Sequence, residues 1–573
     1  MFCFVQCLRK VFLNSQCLLF VFTIFVCDRA FSESITAENL KGKYRGYNVI
    51  IILIDALPQK QLYSYGHGRN ATPWITRLSE RSIVFDNAYA PASYTMPSIV
   101  SLFTSEYPYT HRILHVFKDK VPESTQTLAE TLRALGYDTA WFGSCRDPHT
   151  GAVQGLLQGF DTLGDIGSQE VLKNSAAGAA HGVLRTAYLM ERYDAVIKWV
   201  FEHKKSPFFI VVHSYAAHER VFPFMGYSRY CSLFRRKLLR GIGLKEMVKK
   251  TWEYLSDTYQ NDPQRIYDVL GTQNVEQHKD LFQTPYTTQK FFHIKRLCLS
   301  LQQKAALNTL MTKAYHRELC GFDKKQRTAL LDVLDSALFE VDRKLIGRLY
   351  RQLRREHLLD KTIILLTSAH GNEYGEHDEY GHEIALYQET IKIPFILYLP
   401  ATISRRSDDI ATLVDVLPTV LELIGERVPA EAQGKSLVER VERKDDCSTN
   451  DFTVSQTCGG LFSIVTPTWK LIDRSQEIPI AGKYYCHGNF QGREEKKAVS
   501  STCSTKDKYE LFFLKEDPDE RFNRAAEESE HVERLKGLLD TWKKNLPISV
   551  SEEGFFEEVS EETRQRIRQT GYW

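Results

Sequence analysis

The sequence predicts an α/β protein with a mostly parallel central sheet that is flanked by helices. Three runs of large apolar residues, at positions 49–54, 207–213 and 361–367, have the length of strands and lack the polar alternation of a half-exposed strand. Helical stretches alternate with such strands, as at 128–135, where Gly136 ends the helix before another strand begins. Polar side chains follow each apolar run, which places a candidate site at the carboxyl ends of parallel strands.

Length and composition indicate a large soluble protein. A chain of 573 residues is long enough for two or more domains, or for one large domain with insertions. Hydrophobic residues make up 43% and charged residues 25%, which is ordinary for a globular protein and argues against wholesale disorder. The formal net charge of +2 gives no general reason to bind nucleic acid or an anionic membrane, so neither is expected as a partner.

The first 32 residues have the pattern of a secretory signal peptide. Arg9 and Lys10 precede a mostly apolar run at 11–27, and the small residues Ala30 and Ser32 then offer a cleavage position. The protein is therefore expected to be secreted, periplasmic or otherwise exported, with no stable membrane span after cleavage. The alternative is an uncleaved N-terminal segment that anchors the protein in a membrane, although its apolar part is short for a spanning helix.

The cysteine count is compatible with export. Four of the 12 cysteines lie in the first 32 residues, which leaves eight in the rest of the chain. An even number allows disulfides in an oxidising compartment, but the sequence leaves their pairing open. None of the eight has the spacing of a metal finger.

The alternation of helices and strands predicts a large first domain, 43–404, and a smaller C-terminal α+β subdomain, 405–573. Residues 222–327 interrupt the alternation and are helical and basic, which predicts a helical insertion. Its Lys and Arg cluster could attract an anionic substrate or could form a solvated helix face. The alternation then resumes with one long amphipathic helix at 330–356 and a strand at 393–399.

A segment rich in small and hydroxyl residues, 88–105, contains a candidate nucleophile, Thr95. Its second half, from Pro97, is typical of a helix with proline at the first helical position. Thr95 is therefore expected just ahead of a helix N-terminus, where free amide groups and the helix dipole favour an anion. The alternative is that Thr95 only caps the helix.

Metal-ligand residue types follow three of the predicted strands. Asp55 follows the first, His218 the second, and His370, His377 and His382 the third. Carboxylate and imidazole groups on rigid elements are what a divalent metal site needs. A metal there could stabilise a threonine alkoxide and polarise a phosphoryl or sulfuryl oxygen. For Asp55 alone, the alternative is a cap on the turn or helix that follows.

Several stretches together resemble the sulfatase family, within the alkaline-phosphatase-like superfamily. They include NVIIILIDAL from position 48, TMPSIVSLFTSEYPYTH from 95, PFFIVVHSYAAH from 207 and TIILLTSAHGNEYGEH from 362. The resemblance spans roughly residues 47–523, apart from the basic insertion. It implies an alkaline-phosphatase-like fold and a metal-dependent hydrolase or transferase that acts on an anionic sulfate or phosphate ester.

The resemblance also implies roles for individual residues. Asp55, Thr95 and His370 are expected to hold a divalent metal, calcium or zinc, and Thr95 is expected to attack the ester. Three histidines are expected to position the substrate or to protonate the leaving group: His218, His377 or His382.

The sequence departs from the family pattern around the nucleophile. Sulfatases have Cys or Ser in a C/S-x-P-S/A-R motif, which is converted to formylglycine, whereas this chain has TMPSI at 95–99. Threonine cannot give that aldehyde, and Ile99 replaces the arginine that would steady it. Related phosphodiesterases and phosphoethanolamine transferases use a threonine nucleophile, which is compatible with Thr95.

The sequence also departs from the pattern at two expected carboxylates. Ala56 follows Asp55, and Ala369 replaces an Asp ligand expected before His370, so a metal would lose ligands and neutralising charge. Glu373 or Glu376, two nearby glutamates, are candidates to replace the lost ligand. Two functions follow as alternatives: a metal-dependent esterase or transferase, and a catalytically degenerate sulfatase-like protein that binds a ligand or partner.

Overall fold

The computed structural model of the protein describes ten stretches of the chain. The predicted signal peptide lies outside them, and so do residues 222–323 of the predicted basic insertion. Cys458 is the one cysteine among the described residues. The described residues are 39–114, 119–143, 155–166, 171–173, 193–218, 324–377, 380–382, 385–442, 451–475 and 507–547.

A nine-stranded sheet forms the centre of the molecule. Its strands are β1 (Asn48–Ile54), β2 (Ile83–Tyr89), β3 (Asp138–Gly143), β4 (Thr162–Asp165), β5 (Val171–Lys173), β6 (Phe208–Ser214), β7 (Thr362–Thr367), β10 (Phe395–Tyr398) and β11 (Arg405–Thr412). Between β7 and β10, a small hairpin consists of β8 (Glu373–Tyr374) and β9 (Tyr380–Gly381). The sheet order is β11-β2-β10-β7-β1-β6-β3-β4-β5. Neighbours run parallel except at β10 and between β4 and β5, so the predicted mostly parallel sheet is confirmed.

Helices surround this sheet. They are α1 (Pro73–Ser79), α2 (Thr95–Thr104), α3 (Pro108–His111), α4 (Leu128–Ala134), α5 (Asp194–Glu202), α6 (Lys324–Val341), α7 (Gly347–Arg355), α8 (Gln388–Ile391), α9 (Val416–Ile424), α10 (Val438–Glu442) and α11 (Ser529–Asn545). Within the described stretches, none of the helices is long and apolar enough to cross a membrane.

The central strand β1 explains why the sheet could be predicted from an apolar run. All of its residues are buried, with Val49, Ile51 and Leu53 in the core on one face and Ile50, Ile52 and Ile54 in the core on the other. A strand covered on both faces has no exposed positions for polar residues, so its sequence does not alternate.

The registers of β1, β6 and β7 bring the ends of these three strands together. Leu53 of β1 pairs with His213 of β6 on one side and with Thr367 of β7 on the other. Because the three strands are parallel, their carboxyl ends lie at the same edge of the sheet. The residues that follow them, including Asp55 and His370, are therefore close together.

The predicted long helix at 330–356 is interrupted. A π-helical turn, Asp342–Ile346, separates α6 from α7. The buried carboxylate of Asp342 in this turn accepts hydrogen bonds from the backbone N–H groups of Trp74 (3.0 Å) and Ile75 (2.7 Å) at the start of α1. The apolar stripe predicted the helical faces, but it could not reveal a polar contact with a helix more than 200 positions away.

The C-terminal part contributes to both sheets. β11 pairs in parallel with β2, so the predicted boundary at 404/405 precedes the last strand of the large sheet. A separate antiparallel sheet consists of β12 (Thr453–Gln456), β13 (Phe462–Val465), β14 (Trp469–Asp473) and β15 (Tyr509–Phe513). Leu535 and Leu539 of α11 belong to the hydrophobic core that this sheet forms.

Candidate active site

Thr95 lies on α2 with its side chain facing the ends of β1 and β7. The helix begins at Thr95, two residues earlier than predicted, so Pro97 is not at the first helical position. Thr95 Oγ1 donates a hydrogen bond to Asp55 Oδ2 (3.0 Å) and lies 3.1 Å from His370 Nε2. Its hydroxyl therefore contacts a carboxylate and an imidazole. A role as a helix cap alone would not account for these two contacts.

Asp55 is fully buried directly after β1. Its backbone N–H donates to the carbonyl of Ser214 at the end of β6, and its Oδ1 lies 3.5 Å from His370 Nε2 and 3.7 Å from His213 Nε2. Oδ1 itself has no hydrogen-bond partner among the residues that the structure describes. Burial alone would raise the pKa of Asp55, but the neighbouring His370 and His213 outweigh it and hold the pKa well below its usual range. Asp55 is thus an ionised carboxylate with one oxygen available.

Hydrogen bonding fixes the tautomer of His370. Its Nδ1 lies 2.7 Å from the carbonyl oxygen of Gly371, an acceptor, so Nδ1 carries the proton and Nε2 presents a lone pair toward Thr95. Burial, together with the neighbouring His382, lowers the pKa of His370 to about 3, so the ring is neutral near pH 7. A side chain at Gly371 would meet the carbonyl of Glu389 at 2.0 Å, so the close approach of these two segments requires glycine.

His213 also belongs to this group, although it is not among the site residues predicted from the sequence. It is fully buried near the end of β6, and within the described stretches neither of its ring nitrogens has a hydrogen-bond partner. Trp141 packs against its ring, with 5.5 Å between the ring centroids. The signal was present in the sequence, because a histidine ending a run of buried apolar residues is unusual in a strand covered on both faces.

Two of the predicted catalytic histidines lie beside His370. The ring of His382 stacks on that of His370, with centroids 4.3 Å apart, and the ring of His218 lies 4.8 Å from that of His382. His382 Nδ1 is 3.2 Å from the side-chain oxygen of Asn372. The structure therefore brings together Asp55, Thr95, His218, His370 and His382, five of the six residues predicted for the site.

His377 is the exception, because its contacts lie elsewhere. Its Nδ1 lies 3.2 Å from Glu373 Oε1 and 3.6 Å from Glu389 Oε2, and its Nε2 lies 3.1 and 3.2 Å from the carbonyl oxygens of Asp519 and Glu520. Burial opposes a charge on this ring, but the carboxylates of Glu373 and Glu389 outweigh it and raise the pKa of His377. His377 accordingly links two glutamates to the C-terminal segment.

The two glutamates considered as replacement metal ligands also have other contacts. Glu373 faces His377, and Glu376 forms an ion pair with Lys60 at 2.8 Å. Among the described residues, Glu373, His377 and Glu389 are a group whose ligand atoms all lie within 4.8 Å of one another. We interpret this group as an ion-pair network, because both nitrogens of His377 face acceptors and each therefore carries a proton.

The sulfatase family profile matches residues 47–426, which is well over half of the chain. The chain belongs to the sulfatase family. A second profile, described as N-sulphoglucosamine sulphohydrolase, C-terminal, matches residues 375–479 of this sulfatase-family protein. The fold and the family expected from the sequence are thereby confirmed.

Known sulfatases are similar to this protein over most of its length. An N-acetylglucosamine-6-O-sulfatase of Bacteroides thetaiotaomicron is 24% identical over 455 residues, covering 74% of this chain and 75% of the relative. A Delta 4,5-hexuronate-2-O-sulfatase of the same organism is 21% identical over 506 residues, covering 86% and 88%. A solved structure in complex with its substrate, D-glucosamine-2-N,6-O-disulfate, has a TM-score of 0.56 at 20% identity, covering 87% of this chain and 98% of the other. This last likeness shows a shared fold.

Members of the sulfatase family generally depend on a divalent metal. In this sulfatase-family protein, Thr95 Oγ1 lies 3.0 Å from Asp55 Oδ2 and 3.1 Å from His370 Nε2, and His370 Nε2 lies 3.5 Å from the other carboxylate oxygen, Asp55 Oδ1. Ligands that bind one divalent ion at about 2.0–2.5 Å are roughly 3–3.5 Å apart. Asp55 Oδ1 is also a buried anionic oxygen that has no hydrogen-bond partner in the described part of the chain. The three residues therefore fit a divalent metal.

Proposed function

We propose that this sulfatase-family protein hydrolyses sulfate esters, with Thr95 as the nucleophile. The observation that carries the proposal is the contact of Thr95 Oγ1 with both Asp55 Oδ2 and His370 Nε2 inside a buried site. A weakly nucleophilic hydroxyl needs an adjacent base or a metal to act, and both can be supplied here. An amino sugar sulfate as the substrate class is supported by two of the similar proteins, the N-acetylglucosamine-6-O-sulfatase and the structure in complex with D-glucosamine-2-N,6-O-disulfate.

The first chemical step forms a bond between Thr95 Oγ1 and the sulfur of the ester. The bond between sulfur and the leaving alcohol oxygen breaks, and the hydroxyl proton of Thr95 passes to Asp55 Oδ2, which already accepts it in a hydrogen bond. A bound divalent ion would stabilise the negative charge on the threonine and sulfuryl oxygens. Water then attacks the same sulfur, releasing sulfate and restoring the threonine hydroxyl.

His218 and His382 are the candidates to protonate the leaving alcohol. Their rings lie next to each other, and His382 also stacks on His370, so both are within the same cluster as the nucleophile. His377 has no part in this step, since its contacts are with Glu373, Glu389 and the C-terminal segment.

Phosphate ester hydrolysis or transfer is the second candidate function. It is favoured by Thr95 itself, because a threonine cannot become the formylglycine of other sulfatases. The degenerate alternative, a ligand-binding protein, is favoured by Ala56 and Ala369, both fully buried where carboxylates were expected. We further propose that the protein acts outside the cytoplasm, on the basis of its N-terminal 32 residues.

Assays of the full-length protein test the proposal. Hydrolysis of aryl sulfates, glucosamine sulfates, aryl phosphates and phosphodiesters is measured on wild type, Thr95→Ala and Thr95→Ser. We expect sulfate turnover that falls roughly a thousandfold or more in Thr95→Ala and is retained within about tenfold in Thr95→Ser, which keeps the hydroxyl. Turnover of phosphate esters alone would favour the second function. Binding of sulfated sugars without turnover that depends on Thr95 would favour the binding protein.

A further inference from the structure

His213 and Asp55 form an incomplete pair in the interior. Both side chains have no exposed surface. With the residues that the structure describes, neither nitrogen of His213 forms a hydrogen bond, and Asp55 Oδ1 forms none. His213 Nε2 lies 3.7 Å from this oxygen, somewhat too far for a hydrogen bond. A neutral imidazole carries one N–H in either tautomer, and leaving a buried N–H unsatisfied is unfavourable. The geometry indicates that a small movement of either side chain closes this contact.

The donors at the site favour a metal that accepts nitrogen ligands. Calcium takes six to eight oxygen ligands, whereas the candidate ligands among the described residues are one carboxylate, one hydroxyl and the nitrogen of His370. Ala56 and Ala369 are buried and supply no oxygen from their side chains. Zinc and similar ions accept three protein ligands of mixed oxygen and imidazole type, with a further position for water or substrate.

His370 has the hydrogen bonding of a metal-binding histidine. Its Nδ1–H donates to the carbonyl of Gly371, and its Nε2 lone pair faces the Thr95 and Asp55 oxygens. Such a bond from the far ring nitrogen to a backbone carbonyl is typical of histidines that bind zinc, because it fixes the tautomer and the ring orientation.

His213 cannot easily be a ligand of the same ion as His370. Two ligands of one zinc ion are at most about 4.2 Å apart. Among the described residues, no group containing Asp55, His213 and His370 has all its ligand atoms within 4.8 Å of one another. The role left for His213 is therefore to hold Asp55.

We propose that Asp55, Thr95 and His370 bind a zinc-type ion in preference to calcium, and that His213 positions Asp55 by donating its Nε2–H to Oδ1. This inference rests on the proposed function for the location of the site. Because Asp55 is the single carboxylate of this ligand set, its orientation decides how well the ion is held. Residues that orient metal ligands typically change metal affinity 10- to 100-fold, roughly, when they are replaced.

Metal binding to the full-length protein tests this inference without using turnover. Metal-free wild type is titrated with Zn²⁺, Co²⁺ and Ca²⁺ by calorimetry, and bound Co²⁺ is followed by its visible absorption. We expect Zn²⁺ to bind at least about 100-fold more tightly than Ca²⁺. His213→Phe, which keeps the ring volume, should lose about 10- to 100-fold in Zn²⁺ affinity, and His213→Gln, which keeps an N–H donor near the Nε2 position, should recover most of it.

A second variant tests the metal preference directly. Ala369→Asp returns a carboxylate beside His370 and should raise the affinity for Ca²⁺ relative to Zn²⁺. Tighter binding of Ca²⁺ than Zn²⁺ in wild type, no metal binding, or equal Zn²⁺ affinity in His213→Phe would overturn the inference. Zn²⁺ binding without ester hydrolysis would support it while contradicting the proposed function. Turnover that depends on Ca²⁺, without Zn²⁺ binding, would contradict the inference while supporting the proposed function.

Discussion

At the scale of single residues, His377 illustrates how position decides the role of a histidine. It follows the same strand as His370, yet it lies between Glu373, Glu389 and the backbone of the C-terminal segment. His213 is the reverse case, because the sequence predicts it only as part of a strand, whereas the structure places it beside Asp55. Residue type and spacing could nominate Asp55, Thr95 and His370, but which nitrogen faces which oxygen depends on tertiary packing.

The charge on His377 predicts a pH-dependent contribution to stability. Its pKa is raised above the ordinary value of 6.5, so its contribution is fully present below about pH 6.5 and is lost as the pH rises through the folded-state pKa. Replacing His377 with Gln should lower the free energy of unfolding by about 1–3 kcal/mol at pH 6 and by less at pH 9. Urea unfolding of both proteins at the two pH values measures this, and an equal loss at both would show that the charge is unimportant.

At the scale of elements, the buried strands were predictable and the interruption of a helix was not. An apolar run is a local property, and β1, β6 and β7 all appear where such runs occur. The π-helical turn at Asp342–Ile346 is bonded to the start of α1. The carboxylate of Asp342 accepts hydrogen bonds from two backbone N–H groups of that helix. This contact joins segments far apart in sequence, so periodicity alone could not indicate it.

Asp342 is predicted to stabilise the start of α1. Replacing Asp342 with Ala leaves the N–H groups of Trp74 and Ile75 without their acceptor and should reduce the free energy of unfolding by about 2 kcal/mol. A matched control is Asp194→Ala, because that side chain is 59% exposed and its ion pair with Arg348 should contribute less than about 1 kcal/mol. Similar losses for both variants in urea unfolding would contradict this role of Asp342.

Burial also sets the pH dependence of this contact. Burial raises the pKa of Asp342 to about 6, although the two backbone hydrogen bonds act to lower it. The folded protein therefore holds this proton more tightly than the unfolded chain, so this group favours folding less as the pH rises from about 4 to about 6. Asp342→Asn cannot titrate, and its stability should lack this component. An unchanged pH profile between pH 4 and 6 would contradict the assignment.

At the scale of the whole molecule, a buried ion pair within the C-terminal part also contacts the segments around residues 377 and 388. Lys470 of β14 lies 2.6 Å from Glu520, without hydrogen-bond alignment, and both side chains are fully buried. Glu520 also accepts a hydrogen bond from the backbone N–H of Gln388 at the start of α8, and its carbonyl contacts His377. The sequence predicted a C-terminal α+β part, but contacts between such distant segments do not follow from local patterns.

Removing one member of this ion pair should lower the free energy of unfolding more than replacing both members. Lys470→Met leaves the carboxylate of Glu520 buried without its cation and should lower the free energy of unfolding by about 3–5 kcal/mol. Adding Glu520→Gln removes the unpaired charge and should restore a large part of that loss. If the double variant is no more stable than Lys470→Met in urea unfolding, the ion pair is not the source of the effect.

The catalytic use of Thr95 is the central claim, and its covalent intermediate provides the most direct measurement. Full-length wild type is mixed with an excess of a sulfate ester, quenched in acid during turnover, digested and mapped by mass spectrometry. We expect the mass of one sulfuryl group on the peptide that contains Thr95, and neither this mass nor turnover in Thr95→Ala. Undiminished turnover by Thr95→Ala, with no sulfuryl group on Thr95 in the wild type, would contradict the account.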